Sequence, residues 1–320
     1  MRVLIFGDAN VDVTVDWRRV EAGLRKLSEK NRDILLDNIE ASKESGNDIE
    51  YYLPARTKEL SRFFNSLNPK IKLGGCGAIK ARTMALLGHD VVFYSWVGND
   101  GNGGLVLKEL SKAGVDISHV KVSGKTCETY NLFDRQKPRL AFSFWENKLS
   151  LSPFIKAVKK EKPDLVLLTG AHRLRKGLGY AKLPGAYVFT GSFASYTKKE
   201  IKAKYKTDLS HSILVSNDAE IMQLSGLDPI SGIAFLPNST IVMHGIGETA
   251  VKRGCNIMIT GTGRLDQSKV VEKTGIGDVW ESVFLSSVGN LEKAPQKRII
   301  KSMKLATKAA KQRMLTGRFP

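Results

Sequence analysis

Short, continuous apolar runs divide the sequence at six places. They are VLIF at 3–6, VVFYSWV at 91–97, DLVLL at 164–168, AYVF at 186–189, SILV at 212–215 and STIVM at 239–243. Strands buried on both faces read as continuous apolar runs, whereas half-exposed strands alternate apolar and polar residues. Most of the intervening segments are long enough for a crossover helix. The pattern therefore predicts an α/β fold with an open, mostly parallel sheet and helices on both faces.

Three of the intervening segments carry clear helical signals. GAIKARTMALL precedes Gly88, and DAEIMQLS precedes Gly226, so each ends at a glycine that can cap a helix. Near the end of the chain, apolar residues recur at steps of three and four between Ile299 and Met314, which predicts one buried helix face.

Two regions break this alternation. Residues 13–72 form a charged, mostly helical excursion after the first strand, and residues 122–147 look like two or three strands with a turn around DRQKPR. We expect residues 1–320 to form a single domain in which these two insertions make a small lid. A lid made of strands could also pair with a second copy, so a homodimer through the lid is one possibility.

The composition excludes several classes of protein. No stretch reaches the roughly 18 to 20 apolar residues of a membrane span, and the first residues do not resemble a secretory leader. The three cysteines are far apart and lack a CxxC pair, and no two of the five histidines have metal-ligand spacing. We therefore expect a cytoplasmic protein without a disulfide framework or a zinc centre.

The formal net charge of +18 has three possible meanings: a nucleic-acid partner, an anionic substrate or a lysine-rich surface. The basic residues are scattered along helical stretches such as YTKKEIKAKYK, beside acids and without interleaved aromatics. This distribution favours solvated helix faces, so a nucleic-acid partner is not expected. Arg82, Arg139, Arg173 and Lys176 fall near the predicted cleft or lid, and an arginine fork suits a phosphate dianion. Each of them alone is interpreted as a surface residue, but the collective charge of +18 slightly favours a sugar phosphate or another anionic acceptor over a neutral sugar.

Polar or glycine-rich turns follow all six predicted strands. They are GDANVD, GNDGNGG, TGAHR, TGS, SNDAE and HGIGE. Because the carboxyl ends of parallel strands meet at one edge of a sheet, these turns predict a single ligand cleft along that edge.

The stretch GIGD, at 275–278, precedes an apolar helical segment. Gly275 and Gly277 allow the backbone to approach a ligand closely, and the start of a helix offers free N–H groups to an anion such as phosphate. A carboxylate beside such a site is useful when it removes a proton from a hydroxyl that attacks phosphorus. In the simpler alternative, Asp278 only caps the helix.

Four motifs resemble those of the ribokinase superfamily of carbohydrate kinases. GGCGAIKARTMALLGHDVVFYSWVGNDGNG at 74–103 is similar to its first signature, TGIGD at 274–278 to its second, NDAE at 217–220 to its NxxE motif and NVD at 10–12 to its NxD sugar-binding motif. The GDANVDV start, GGCGAI, LLTGAH and the long early insertion resemble the branch of ADP-dependent glucokinases and phosphofructokinases. Cys76 and His172 depart from that branch's pattern.

The resemblance implies a role for each motif. Asp278 would be the general base, and the N–H groups of Gly275, Ile276 and Gly277 would form an anion hole. Asn10, Asp12, Gly74, Gly75 and Cys76 would bind the acceptor. His244, Gly245 and Gly247 would border the nucleotide, although an ordinary loop explains them equally well.

Asn217 and Glu220 would hold Mg²⁺ or another divalent cation through its water shell, because three residues separate them on one helical face. A capping arrangement of the same two residues is the alternative, and both can hold at once. Glu146, on the expected lid, is interpreted as an exposed strand carboxylate, with a contact to a sugar or a metal as the alternative.

The expected function is phosphoryl transfer from ADP, or from ATP, to a hydroxyl of a sugar or sugar phosphate. Two alternatives stay open: a nucleoside or inositol kinase of the same superfamily, and a non-catalytic nucleic-acid-binding or regulatory protein on this scaffold. The sequence alone does not separate the acceptors.

Overall fold

The computed structural model describes residues 1–45, 49–53, 58–134, 137, 139–144, 150–169, 187–190, 212–245, 247–263 and 265–319. Its strands are β1 Arg2–Phe6, β2 Asn10–Asp16, β3 Ile49–Leu53, β4 Lys70–Gly74, β5 Asp90–Val97, β6 Val120–Val122, β7 Cys127–Phe133, β8 Leu140–Phe144, β9 Leu165–Thr169, β10 Val188–Thr190, β11 Ile213–Asn217, β12 Thr240–His244, β13 Glu248–Arg253 and β14 Asn256–Gly261. Its helices are α1 Trp17–Gly23, α2 Glu29–Ser45, α3 Lys58–Ser66, α4 Cys76–Leu86, α5 Gly101–Lys112, α6 Ser152–Glu161, α7 Asp218–Ser225, α8 Pro229–Phe235, α9 Ile276–Val288 and α10 Gln296–Thr316.

The larger sheet has nine strands in the order β14-β13-β12-β11-β10-β9-β1-β5-β6. All pairings from β12 through β6 are parallel, whereas β12 pairs antiparallel with β13, and β13 with β14, at one edge of the sheet. Each of the six apolar runs contributes to one of these parallel strands, although Ala186, the first residue of the fourth run, lies outside the described residues. The prediction of an open, mostly parallel α/β sheet is therefore confirmed.

Successive residues of β1 face opposite layers of helices. Val3 and Ile5 belong to one buried cluster, which includes residues of α4, α9 and α10. Leu4 and Phe6 belong to the other, together with residues of α6, α7 and α8. Helices thus lie on both faces of β1, which is why the residues Val3–Phe6 form a continuous apolar run.

The predicted helices also form. Gly226 ends α7 in the left-handed conformation, and Gly88 follows α4 with a φ of 83°. In α10 the stripe containing Ile299, Met303 and Ala306 is buried. None of the described helices is long and apolar enough to cross a membrane.

A second sheet of five strands, in the order β3-β8-β7-β2-β4, is built from the two regions that interrupt the alternation. Strand β2 pairs in parallel with β7 and antiparallel with β4, and β7 and β8 form an antiparallel hairpin. The strand β2 begins at Asn10, three residues before the predicted insertion at 13. That this sheet acts as a lid stays a prediction; Glu146, within the second predicted insertion, lies outside the described residues.

The two faces of this second sheet differ in chemistry. One face carries Val11, Val13, Tyr130 and Phe142, which share a buried cluster with residues of α1, α2 and α3. The Tyr130 ring stacks on Phe64 of α3 with centroids 4.4 Å apart. The opposite face, here called the polar face, carries Asn10, Asp12, Thr129, Asn131 and Ser143, as the strand registers require.

Candidate active site

The glycine turn before α9 forms the centre of the candidate site. Gly275 has a φ of 66°, a left-handed conformation that favours glycine, and it begins the helix without any side-chain cap. A Cβ atom on Gly277 would lie 2.8 Å from Cε1 of His244, so that position has no room for a side chain. Asp278 lies in the first turn of the helix. The simple capping role considered for Asp278 is not observed in the described contacts.

Instead, the Asp278 carboxylate contacts a buried lysine. Lys80 Nζ of α4 donates a hydrogen bond to Asp278 Oδ1 and lies 2.9 Å from Glu281 Oε2. The second oxygen of Glu281 is 2.9 Å from His244 Nε2. The Lys80 side chain is 2% exposed and that of Asp278 is 12% exposed. These four residues form a continuous chain of charged and polar groups beneath the glycine turn.

The environment shifts the pKa values of these groups in different directions. Burial, with Glu281 and Asp8 adding to it, raises the pKa of Asp278, although Lys80 opposes the change. Burial also acts to raise the pKa of Glu281, but Lys80 and His244 outweigh it and hold that pKa low. Burial acts to lower the pKa of Lys80, yet the two carboxylates keep it well above its ordinary value. Lys80 is therefore a permanent cation.

A second buried carboxylate fixes the start of α4. Asp8 accepts hydrogen bonds from the backbone N–H groups of Cys76 at 3.2 Å and Gly77 at 3.1 Å, and from Thr169 Oγ1 at 3.3 Å. A Cβ on Gly77 would lie within 2.8 Å of the Asp8 backbone. These contacts hold the helix that carries Lys80 against the end of β1.

The predicted acceptor residues surround the double glycine. Asn10 and Asp12 begin β2 rather than ending β1, and both point to the polar face. A Cβ on Gly74 would lie 2.5 Å from Asp12 Oδ1, and one on Gly75 would lie 2.7 Å from Asn10 Oδ1. The half-buried Cys76 is the first residue of α4. The structure thus brings these five residues together.

Asn10 has one unsatisfied polar atom. Its Nδ2 donates to Thr129 Oγ1 at 2.7 Å, and Thr129 Oγ1 is 2.9 Å from Ser143 Oγ. The Asn10 Oδ1 atom is buried, and no described residue forms a hydrogen bond with it. Because an unpaired buried acceptor costs free energy, this atom is suited to receive a hydroxyl of a ligand.

The predicted metal pair adopts the capping arrangement. Asn217 Oδ1 accepts from the backbone N–H of Glu220 at 2.8 Å, and Glu220 Oε2 accepts from that of Asn217 at 3.0 Å. Burial, with Glu281 and Asp278 nearby, raises the pKa of Glu220 to about 8. No group of three or more His, Cys, Asp or Glu residues with metal-binding geometry occurs in the described ranges.

The predicted nucleotide residues differ in their surroundings. His244 ends β12 and packs against Trp280, with ring centroids 5.3 Å apart, in addition to its contact with Glu281. A Cβ on Gly245 would lie 2.6 Å from Asp218 Oδ2, whereas one on Gly247 would meet nothing within 4 Å. The side chain of His244 therefore supports the glycine turn, and its contact with a nucleotide stays a prediction.

A buried glutamate anchors the segment before the turn. Glu272 Oε1 accepts from the backbone N–H groups of Lys273 and Thr274, at 3.1 and 3.0 Å, and from Thr274 Oγ1 at 2.7 Å. Its other oxygen is 2.7 Å from Lys72 Nζ of β4. Lys273 Nζ also donates to the carbonyl oxygens of Asp134 and Lys137, at 3.0 and 2.8 Å. The second sheet is thus tied directly to the glycine turn.

Sequence reasoning missed four of these residues: Asp8, Lys80, Glu272 and Glu281. Asp8 stands within GDANVD, and a charged residue in the apolar helix that follows GIGD is a signal for Glu281. Lys80 resembles any surface lysine on a helix.

The basic residues predicted near the cleft or lid have other partners where they are described. Arg139 Nε donates to Asn131 Oδ1 at 2.8 Å, and Arg82 pairs with Glu109 at 3.2 Å. Arg173, Lys176 and His172 lie outside the described residues.

Residues 61–173 match the family described as pfkB family carbohydrate kinases. This match covers about a third of the chain, from α3 past the end of β9. No curated protein matches the chain in sequence.

Solved structures match over almost the whole chain. Adenosine kinase from Sinorhizobium meliloti has 16% identity and a TM-score of 0.73, with 100% of this chain and 95% of that chain covered. Adenosine kinase from Schistosoma mansoni in complex with 2-fluoroadenosine has 13% identity and a TM-score of 0.72, covering 98% and 95%. Arabidopsis thaliana ribokinase complexed with ribose and ATP has 15% identity and a TM-score of 0.63, covering 99% and 94%.

These comparisons show that the chain has the ribokinase-like α/β fold. Together with the family match, they support a phosphotransferase with an alcohol group as acceptor. They give no support to the ADP-dependent branch that the sequence motifs resemble.

Proposed function

We propose that this protein transfers the terminal phosphoryl group of a nucleotide to a hydroxyl group of a sugar, a sugar phosphate or a nucleoside. One observation carries the proposal: the Asp278 carboxylate lies in the first turn of a helix whose N–H groups follow an uncapped glycine turn. Electrostatic interactions link this carboxylate to Asp8 and Glu220, at the ends of two other strands of the sheet edge. A base and an anion site thus share one location.

In the proposed reaction, Asp278 accepts the proton of the acceptor hydroxyl. The hydroxyl oxygen forms a bond to the terminal phosphorus as the bridging bond of the donor breaks, and the shortened nucleotide leaves with that bonding pair. A raised pKa suits this task, because a general base works best when its pKa approaches the working pH. Burial of Asp278 limits competing hydrolysis by water.

The N–H groups of Ile276 and Gly277 are the donors proposed for the anion hole. The first N–H groups of a helix lack partners within the helix, and they point toward an anion at its start. A well-placed donor of this kind contributes roughly 3 kcal/mol to the transition state. The close contact between Gly277 and His244 keeps the turn in place.

A divalent cation, with Mg²⁺ as our proposal, would neutralise phosphate charge when bound. Asn217 and Glu220 offer oxygen atoms, which hard cations prefer. In the capping arrangement Glu220 uses one of its two carboxylate oxygens, and the single amide oxygen of Asn217 accepts one hydrogen bond and keeps a second lone pair. The pair fits a hydrated cation held through water, because Mg²⁺ keeps several waters in most protein sites. The high pKa of Glu220 suits a group that ionises when a cation approaches.

The polar face of the second sheet is the proposed acceptor surface. Asn10 and Asp12 begin that face beside the double glycine, and the buried, unpaired Asn10 Oδ1 is suited to a hydroxyl donor. Sugars, sugar phosphates and inositols all present such hydroxyls. A nucleoside is a second candidate acceptor, favoured by the fold similarity to two adenosine kinases.

The donor is proposed to be a nucleoside di- or triphosphate. The sequence motifs resemble ADP-dependent enzymes, whereas the similar Arabidopsis ribokinase structure contains ATP. A direct assay separates them: the protein and Mg²⁺ are incubated with ADP or ATP and with pooled sugars, sugar phosphates, nucleosides and inositols. Mass spectrometry then identifies the compound that gains a phosphate. Transfer from ATP alone would reject the ADP-dependent assignment, and no product with any pair would reject the proposed function.

The role of Asp278 is tested with Asp278→Asn. We expect kcat to fall by roughly 10²- to 10⁴-fold, because the amide cannot accept the proton. Nucleotide affinity, measured by calorimetry, should change little, since the backbone donors remain. Asp266→Asn, which changes an exposed carboxylate outside the site, is the matched control. Unchanged turnover in Asp278→Asn would rule out this base.

A further inference from the structure

The most unusual group in the candidate site is the ammonium of Lys80. Lysines are almost never fully buried unless they are paired, because removing an ammonium from water is costly. Here the side chain is 2% exposed and lies between two carboxylates, those of Asp278 and Glu281. Buried ion pairs rarely add net stability. If position 80 served only to pack α4 against α9, an apolar residue would therefore be equally suitable there.

We propose that Lys80 is a positioning residue for the candidate base: its buried ammonium holds one oxygen of Asp278 so that the other oxygen faces the acceptor hydroxyl. This inference rests on the proposed phosphotransferase function. It assigns to Lys80 a role in orienting Asp278 and in balancing the charge around it, without contact to the reacting atoms.

The contacts of Asp278 support an oriented carboxylate. Its Oδ1 atom accepts from Lys80, and Ser282 Oγ donates to its backbone carbonyl oxygen at 2.7 Å. Among the described residues, Lys80 provides the one side-chain hydrogen bond recorded for this carboxylate. When one oxygen of a carboxylate is held by a hydrogen bond, the orientation of its second oxygen is defined. The rate of a catalysed step is sensitive to the orientation of the reacting groups.

Lys80 itself is held in place from two sides. Glu281 binds the ammonium from α9, and His244 of β12 holds the other oxygen of Glu281. The helix that carries Lys80 is fixed at its start by Asp8 and packs Ile79 against Gly275, where a Cβ would lie 2.7 Å from Ile79 Cδ1. The ammonium is therefore a rigid reference point for the carboxylate.

Charge balance gives a second, independent reason for a cation here. The ionisable groups that interact with Asp278, Lys80 or Glu281 come from every neighbouring element: Asp8 after β1, Cys76 of α4, Glu220 of α7, His244 of β12 and Glu281 of α9. Most of them are acids. Without Lys80, Asp278 would face acidic neighbours with no other lysine or arginine among its interacting partners in the described ranges, and its charged form would be disfavoured.

The first test is Lys80→Met, which shortens the unbranched side chain by one atom and removes the charge. We expect kcat/KM at pH 7 to fall roughly 100-fold. We also expect the acidic limb of the pH profile of kcat/KM to move up by about one pH unit or more, because the carboxylate loses its partner. The exposed Lys108→Met on α5 is the matched control and should change neither.

A residue needed only for folding would behave differently. Lys80→Met would then lower the melting temperature, while the correctly folded fraction would keep the wild-type pH profile. An unchanged acidic limb, or a uniform loss of rate at every pH, therefore overturns the proposal. A shifted limb with nucleotide affinity preserved supports it.

Glu281→Gln provides a second test that does not depend on the folding of the lysine variant. It removes a neighbouring negative charge and leaves Lys80 with Asp278 as its one close carboxylate. The acidic limb should then move down in pH, opposite to the change in Lys80→Met. A shift upward, or none, counts against the proposal.

A thermodynamic cycle separates this inference from the proposed function. Free energies of unfolding are measured for the wild type, Lys80→Met, Asp278→Asn and the double variant. Strong coupling together with phosphoryl transfer supports both proposals. If the unfolding free energies of the two variants are strongly coupled but the protein transfers no phosphate to any acceptor, the proposed function and the positioning role are both rejected. The ion pair between Lys80 and Asp278 is then still supported. Transfer without coupling rejects the role of Lys80 alone.

Discussion

The most informative single perturbation outside the candidate base is Glu220→Gln. The glutamate belongs to a capping box, in which its side chain accepts from the backbone N–H of Asn217. Glutamine can make the same contact, since the capping box accepts either residue at this position. The substitution therefore removes the ionisable group while preserving the start of α7, so its effect reports on the charge alone.

The size and sign of the effect follow from the pKa. Burial raises the pKa of Glu220 from 4.5 to about 8, so between these values the folded state holds a proton that the unfolded chain has lost. Stability from this group is present at low pH and is lost as the pH rises toward 8. A difference of about 3.5 pH units corresponds to at most ~5 kcal/mol. Glu220 is partly exposed to solvent, which reduces this contribution to the free energy of unfolding, so we expect a contribution of ~2 kcal/mol.

The assay is urea unfolding at pH 5 and pH 8.5 without metal or nucleotide. The free energy of unfolding of Glu220→Gln, relative to that of the wild type, should rise by ~2 kcal/mol or more between the two pH values. Glu292→Gln, at an exposed position, is the control and should show no such change. Equal pH dependence in Glu220→Gln and the wild type would refute the claim that Glu220 is protonated in the folded protein at neutral pH.

Two further outcomes follow from the site and from the second sheet. Gly277→Ala should lower kcat at least ~10-fold, because the added methyl group would lie 2.8 Å from His244 Cε1 and displace the turn, while Gly104→Ala, which has open space on α5, should leave kcat unchanged. Wild-type rates in Gly277→Ala would argue against a tight turn. In light scattering at micromolar concentration the protein should have the mass of one chain, 35.3 kDa, and a doubled mass would contradict our reading of the second sheet.

The central sheet could be predicted because burial on both faces leaves a strong local signal. In the strand Arg2–Phe6 the four residues after Arg2 are all apolar and buried, so the apolar run itself marks the strand. The parallel direction of these strands then follows from the crossover helices predicted between the runs. The β13–β14 hairpin escaped notice because sequences such as ETAVKR and NIMITG mix polar and apolar residues, as strands at a partly exposed sheet edge do.

The interior of the candidate site was predictable only in part. Asp278 was predicted as a base because the glycine turn at a helix start occurs together with three other motifs in the order of the family that they resemble, since the GxGD pattern alone is a weak signal. Lys80 was not, since its partners Asp278 and Glu281 are about 200 residues away in sequence and meet it only through the packing of α4 on α9. Local patterns identify a residue when its role depends on its neighbours in the chain, and they miss it when the role depends on a distant helix.

The two faces of the second sheet lead us to expect that one chain can build the candidate site alone. A sheet with an apolar face must cover it, either with a partner or with its own chain. Here the helices α1, α2 and α3, from the long early insertion, supply that cover, and the stacking of Phe64 on Tyr130 lies in its centre. The polar face, with Asn10 and Asp12, adjoins the glycines of the site. A dimer through either face would compete with these helices or with the proposed acceptor. We therefore expect the early insertion to cover the apolar face of this sheet in place of a partner chain.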